Sequence, residues 1–374
     1  MNVRGIKLIF KMNLIFILSL IVLATACDGG GTDDGGGGAG SNDLSPADIY
    51  AGGIYYNGSS VQVPAYWKNS VLNELTPLDA TKHSDVKTIY ISGTDIYVGG
   101  YSTNSSDIRI PGYWKNGTWN ALPGLEADKH SMVTSIVVIG NDVYVGGYSQ
   151  NSSGKNIPGY WKNGVWNGLP KLDSTKNAGV YSIAVSGSDI YAGGFNYNSS
   201  SISEAGYWKN GTWTPLPSED SSKTTVVNSI ALNGTDVYMA GYSTNSSDIE
   251  VAGYWKNDTW TALTPIASNK DSEVKKIVIS AGNVYAGGYS KDLRNVDIPG
   301  YWKNGVWNKL AENQNSDLRF DNVTGIAVID NDVYTASRRT ISLGTPYAGY
   351  WANSTWITLP TEKSYIYSLV AIPQ

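Results

Sequence analysis

Side chains able to do chemistry are scarce in this chain. It has two histidines, His83 and His130, and one cysteine, Cys27. The histidines occupy equivalent places in neighbouring repeats of one recurring phrase, so no single local motif pairs them. With so few such groups, no zinc spacing, copper set or Ser-His-Asp arrangement assembles. Glycosidase or lyase chemistry needs only two carboxylates or a Tyr/Arg pair and stays open on these grounds. No catalytic residue, metal or cofactor is expected, and binding is expected ahead of catalysis.

What remains is charge. Of the five arginines after residue 26, Arg294, Arg319, Arg338 and Arg339 fall in the last two repeats, with Lys291 beside them. The last repeat reads Ala336-Ser-Arg-Arg-Thr-Ile-Ser-Leu343 where the second and third read Gly-Gly-Tyr-Ser-x-Asn-Ser-Ser. Guanidinium forks suit carboxylate, sulfate or phosphate, so these residues are expected to form an anionic-ligand sector. Terminal repeats are also irregular simply where a ring closes. A second set, Lys82, Lys129, Lys176, Lys223 and Lys270, stands four residues before a Val of each following strand. These lysines are expected at the mouth of a central channel, as a solvated ring of charge or as an ion site.

The elements that must position these residues follow from the repeat. The phrase begins at Asp48, Asp95, Asp142, Asp189, Asp236, Asn283 and Asp332, at intervals of 47 residues and finally 49. Each copy holds short β-branched and aromatic runs between Gly/Asn turns, the pattern of a β-propeller with one blade per repeat. In the third copy, 133–139, 143–148, 157–162 and 165–169 read as four strands, with Asn163-Gly164 as a hairpin turn. The first copy lacks the leading strand, and Ile366-Tyr-Ser-Leu-Val-Ala-Ile372 supplies a last copy of it with nothing after. The expected fold is therefore all-β, a seven-bladed propeller of four-stranded antiparallel blades. Its C-terminal strand completes the first blade and removes two open edges.

Repetition sets a limit on what can be read as function. Seven of the thirteen tryptophans follow the repeated Tyr, and six begin the fourth strand, where the first copy has Leu72. A side chain needed identically in every blade is expected in the core between blades, although a ring of aromatics also suits a multivalent lectin. The repeated aspartates are expected to cap their own turns. Eleven Asn-x-Ser/Thr sequons, such as Asn104, Asn116 and Asn151, arise from the same turns. The longer loops, near Ser102–Arg109 and Pro77–Asp85 and their equivalents, are expected on one face of the disc, where binding is usually built.

The Gly-Gly doublet after an apolar strand (Gly99-Gly100, Gly146-Gly147, Gly193-Gly194) is followed by a Tyr and, six positions later, a Trp (Tyr113 and Trp119, Tyr160 and Trp166). This resembles a kelch repeat, over nearly all of residues 48–372. It departs by adding a Trp directly after the Tyr, and the doublet becomes Ala240-Gly241 and Ala336-Ser337 in two copies. The resemblance implies the fold and a habit of binding partners, with little functional specificity. The Ser-x-Asp-x-Gly-x-Thr-Trp box of sialidase propellers is absent.

The N-terminus carries Arg4, Lys7 and Lys11, then an apolar run from Leu14 to Leu23, and Leu23-Ala24-Thr25-Ala26-Cys27. This resembles a bacterial lipobox, which implies cleavage after residue 26 and acylation of Cys27. An ordinary secretory signal with an incidental cysteine is the alternative. Residues 1–26 are thus expected to be a signal peptide, 27–45 an acidic Gly-rich disordered tether, and 46–374 the propeller. The net charge of −5 becomes −8 without the leader, and about half of that sits on the tether. So mild an acidity excludes wholesale nucleic-acid binding. The expectation is a monomeric module anchored by lipid to the outer membrane, periplasmic or surface-exposed. It would bind an envelope or extracellular protein or glycan through its long-loop face.

Overall fold

A computed structural model describes residues 44–310, 318–341 and 345–374. The expected signal peptide, the acylated Cys27 and almost all of the tether lie outside these residues. Among the described residues every helix or strand is a strand, and the strands form seven antiparallel sheets. In blade two the order is Ser84–Ser92, Asp95–Thr103, Arg109–Lys115 and Thr118–Ala121, from the innermost strand outward. Blades three to six repeat it. The innermost strands neighbour one another in cyclic order, blade seven against blade one and blade one against blade two, so the ring is closed.

Closure runs through the C-terminus. Ser364–Pro373 pairs with Ala47–Tyr56 as the innermost strand of blade one, in the order the repeat count requires. Ser45, at the end of the expected tether, donates its N–H to Asp332 Oδ2 at 2.7 Å on blade seven.

Each residue of the Tyr-Trp-Lys-Asn phrase has a structural duty. The seven tryptophans after Tyr are at most 2% exposed, and in blades two to six each indole N–H reaches a carbonyl of the preceding connection, as from Trp114 to Thr76 at 2.8 Å. Asn116 Nδ2 donates to Asp95 Oδ1 at 2.7 Å, while Asn116 Oδ1 accepts from the Ile96 N–H at 2.9 Å. Lys115 meets the same carboxylate at 2.7 Å and lies 5.2 Å from the Tyr97 ring centre. The aspartates therefore do not cap their own turns, as expected, but latch the second strand to the outer hairpin. Lys115 and Asn116 lower the Asp95 carboxyl from its usual range.

The outer tryptophans explain another fixed residue. A Cβ on Gly112 would stand 2.5 Å from the Trp119 ring, so the Gly before Tyr-Trp lets the second indole lie flat over the strand, 4.4 Å from Trp114.

Candidate functional site at the long-loop mouth of the channel

The innermost strand of each of blades one to six carries one extra residue. In blade two the register jumps between Val86 and Thr88, leaving Lys87 unpaired, and the same bulge leaves out Thr134, Tyr181, Asn228, Lys275 and, in blade one, Tyr367. The second Gly of the doublet is the cause. A Cβ on Gly100 would lie 1.9 Å from the Asp85 carbonyl oxygen, which the bulge pushes across the ladder. In blade seven Ser337 takes that place. There the innermost strand is split into Leu318–Phe320 and Gly325–Ile329, and Ser337 Oγ donates to the Asp321 carbonyl.

Bulges re-aim side chains, and these aim at the axis. Lys87, Thr134, Tyr181, Asn228, Lys275, Thr324 and Tyr367, one from each blade, line a single cavity of about 460 Å³ at the channel mouth. The short ones reach across to the next blade. Thr134 Oγ1, Asn228 Nδ2 and Thr324 Oγ1 each donate at 2.8 Å to a carbonyl there. The long ones give the mouth its chemistry. Lys87 pairs with Asp85 at 2.6 Å and lies 4.3 Å from the Tyr367 ring centre. Lys275 pairs with Glu273 at 2.6 Å, and that carboxylate also accepts from Asn228 at 2.8 Å. Tyr181 is 36% exposed and packs on Phe195 at 5.2 Å. Burial pushes its hydroxyl up to about 12, and burial raises the Asp85 carboxyl despite Lys87. With Tyr242, which also lines it, the mouth thus offers three aromatic rings and two ion pairs.

One residue deeper the blades present Thr88, Ser135, Ser182, Ser229, Gly325 and Ser368 to a channel cavity of about 410 Å³. Blade six alone has Lys276 there. Burial lowers its ammonium below the usual lysine range.

The long loops do share a face. Connection residue Lys82 meets Asp107 of the second-to-third loop at 2.7 Å, and the Leu78 N–H donates to Ser102 Oγ at 2.8 Å. Lys223 meets Asp248 at 2.6 Å, Lys176 donates to Ser201 Oγ at 2.8 Å, and Lys129 lies 3.3 Å from Asp128. None of the five lysines lines the mouth cavity, and Lys270 lines a separate cleft with Glu250 and Ser272.

The arginine sector is dispersed among its own acids. Lys291 pairs with Asp271 at 2.7 Å and Arg294 with Asp292 of its own turn at 2.7 Å. Arg338 pairs with Asp321 and stacks over Tyr365 at 4.5 Å, and Arg339 lies 5.9 Å from the Trp356 ring centre. Arg319 is exposed, and with Lys291 it bears on the half-buried Asp297. Arg338 and Arg339 do not lie in a loop. The second strand of blade seven runs on to Ile341, pairing Arg338 with Ala348 and Arg339 with Tyr347.

Sequence reasoning missed the six bulge residues and Thr324, which takes their place in blade seven. Their signal is present: in copies that agree at Tyr, Trp, Lys and Asn, the position after the inner-strand Val or Ile changes from Lys to Thr, Tyr and Asn. Among the described residues no group of three or more His, Cys, Asp and Glu side chains is placed to hold a metal.

No protein-family model matches the chain, and no curated protein matches it in sequence. Solved structures to which it is similar include YCF48 bound to D1 peptide, at 14% identity and a TM-score of 0.41, covering 75% of this chain and 86% of that one. Another is an arginine-to-alanine triple mutant of AofleA from Arthrobotrys oligospora, at 12% identity and a TM-score of 0.43, covering 88% of this chain and 89% of that one.

Proposed function

We propose that this protein is a non-enzymatic binding module, anchored by lipid at Cys27 in the cell envelope, which takes a protein or polymer through its long-loop face. One observation carries the reading. The blades agree at positions the fold needs and differ at the ring of bulge residues around the channel mouth. Structural duty explains the agreement and leaves the differences to recognition. Three tyrosine rings beside two ion pairs suit a ligand group with an apolar side and hydrogen-bonding edges. A lectin built on the tryptophans that follow Tyr is disfavoured, because those rings are at most 2% exposed.

The test is binding of the protein to an array of neutral glycans, acidic glycans and envelope or matrix proteins, at low and physiological salt. A ligand whose binding weakens in Tyr181→Ser or Lys275→Glu supports the reading. A ligand indifferent to these but lost in Trp166→Ala and Trp213→Ala would return the site to the repeated aromatics.

A further inference from the structure

The two histidines and Arg109, which among the described residues is the one arginine outside blades six and seven, converge on one hollow. It has a volume of about 620 Å³, opens at the junction of blades one to three, and is lined by Tyr56, Gln62, Lys82, His83, Arg109 and His130 among others. Both imidazoles are held alike: the Gln62 N–H donates to His83 Nδ1 at 3.0 Å, and the Arg109 N–H to His130 Nδ1 at 3.1 Å. A ring nitrogen that accepts carries no proton, so the neutral imidazole bears its proton on Nε2. Each Nε2–H is then a donor, and neither has an acceptor among the described residues.

Arg109 is fixed differently. Its guanidinium lies over the Tyr101 ring at 5.0 Å and makes no ion pair among the described residues. The one acid that lines the hollow, Asp107, is met by Lys82 at 2.7 Å, and Asp85 is met by Lys87 at 2.6 Å. Arg109 is therefore the surplus charge of the hollow, with two N–H donors beside it.

Holding the backbone does not require histidine. Asn177 Oδ1 accepts from the Asn156 N–H at 3.0 Å in the next blade, and Asp271 Oδ1 from the Glu250 N–H at 3.2 Å further round. Any acceptor of that reach keeps the latch, so the imidazoles and the arginine are free for another task.

We infer that this hollow binds an acidic saccharide, its carboxylate taken by Arg109 and the Nε2–H groups of His83 and His130. The rest of the lining, including Tyr56, Gln62 and Thr103, presents a ring, an amide and hydroxyls, which match a hydroxylated sugar ring. The site stands apart from the bulge residues of the channel mouth, so either proposal can fail without the other.

The experiment is calorimetric titration of the whole protein with a glucuronate tetrasaccharide, its carboxyl-reduced neutral counterpart and a triglutamate peptide. The variant is Arg109→Glu with His130→Asp, the pair that Glu250 and Asp271 already form, so the latch is kept. Arg109→Gln, matching Gln62 in blade one, is the milder companion, and an unchanged thermal midpoint certifies folding. The glucuronate binds and the neutral sugar does not. Affinity falls about tenfold or more in the double variant, as expected for loss of a charge-assisted contact, and less in Arg109→Gln. No glucuronate binding, or equal affinity in the folded variants, overturns the site, and tighter binding of triglutamate overturns the saccharide assignment.

Discussion

At the scale of single residues, most of the repeated phrase is accounted for by packing and latching. The two glycines of the doublet have different duties. Gly100 makes room for the bulge carbonyl at 1.9 Å, whereas a Cβ on Gly99 would meet side chains, Thr88 Cγ2 at 2.8 Å and Val133 Cγ1 at 2.9 Å. The second set can yield, since blades five and seven carry Ala240 and Ala336 there. Gly100→Ala is thus expected to cost about 3 kcal/mol and Gly99→Ala less than about 1 kcal/mol, read from denaturant midpoints. Equal costs would refute the assignment. Lys276 gives a prediction of opposite sign. Burial holds its folded-state pKa below the unfolded value, so the charged amine destabilises the fold at pH below that lowered pKa. Lys276→Ser, the residue of four other blades, is expected to raise the thermal midpoint at pH 7. That gain shrinks as pH rises toward the unfolded lysine value of 10.5. A gain that persists unchanged there would contradict the burial argument.

At the scale of elements, strands and turns were legible because Asn-Gly hairpins and β-branched runs act locally. In blade three the inner strand is Ser131–Ile139 and the second Asp142–Gln150, two residues longer at the loop end than the hydrophobic run implies. Polar residues such as Ser149 extend these strands because their hydroxyls anchor the connection, as Ser149 Oγ does for the Leu125 N–H at 2.7 Å. Arg338 and Arg339 likewise lie in a strand that runs past its hydrophobic stretch. The bulge was not legible, since one skipped residue leaves the strand's composition unchanged. Ring closure was legible by counting, and it makes a sharp demand. Without residues 364–374 the strand Ala47–Tyr56 loses its inner partner, opening blade one to edge-to-edge pairing. The truncated chain is expected to aggregate or lose its cooperative thermal transition. A monomer with the parent midpoint would show that closure does not hold the ring.

At the scale of the whole molecule, seven near-identical blades would give a symmetric and functionally anonymous disc. The symmetry is broken in two places on the long-loop side, by the bulge residues around the axis and by the cation-lined hollow at blades one to three. Ion pairs seen only in three dimensions decide how the charges distribute. The arginines of blades six and seven were conspicuous in the sequence, yet Asp292 and Asp321 answer Arg294 and Arg338. Arg109 looked incidental and carries the surplus charge. The most direct measurement of the central claim compares the two faces of the disc against the strongest ligand from the binding array. One variant carries Tyr181→Ser and Tyr367→Ser at the mouth. The other carries Thr94→Glu and Asn141→Glu in the short turns opposite. Affinity lost about tenfold or more in the first and retained in the second is the predicted result. Loss in the second with the first unaffected would place recognition on the short-turn face and contradict the account.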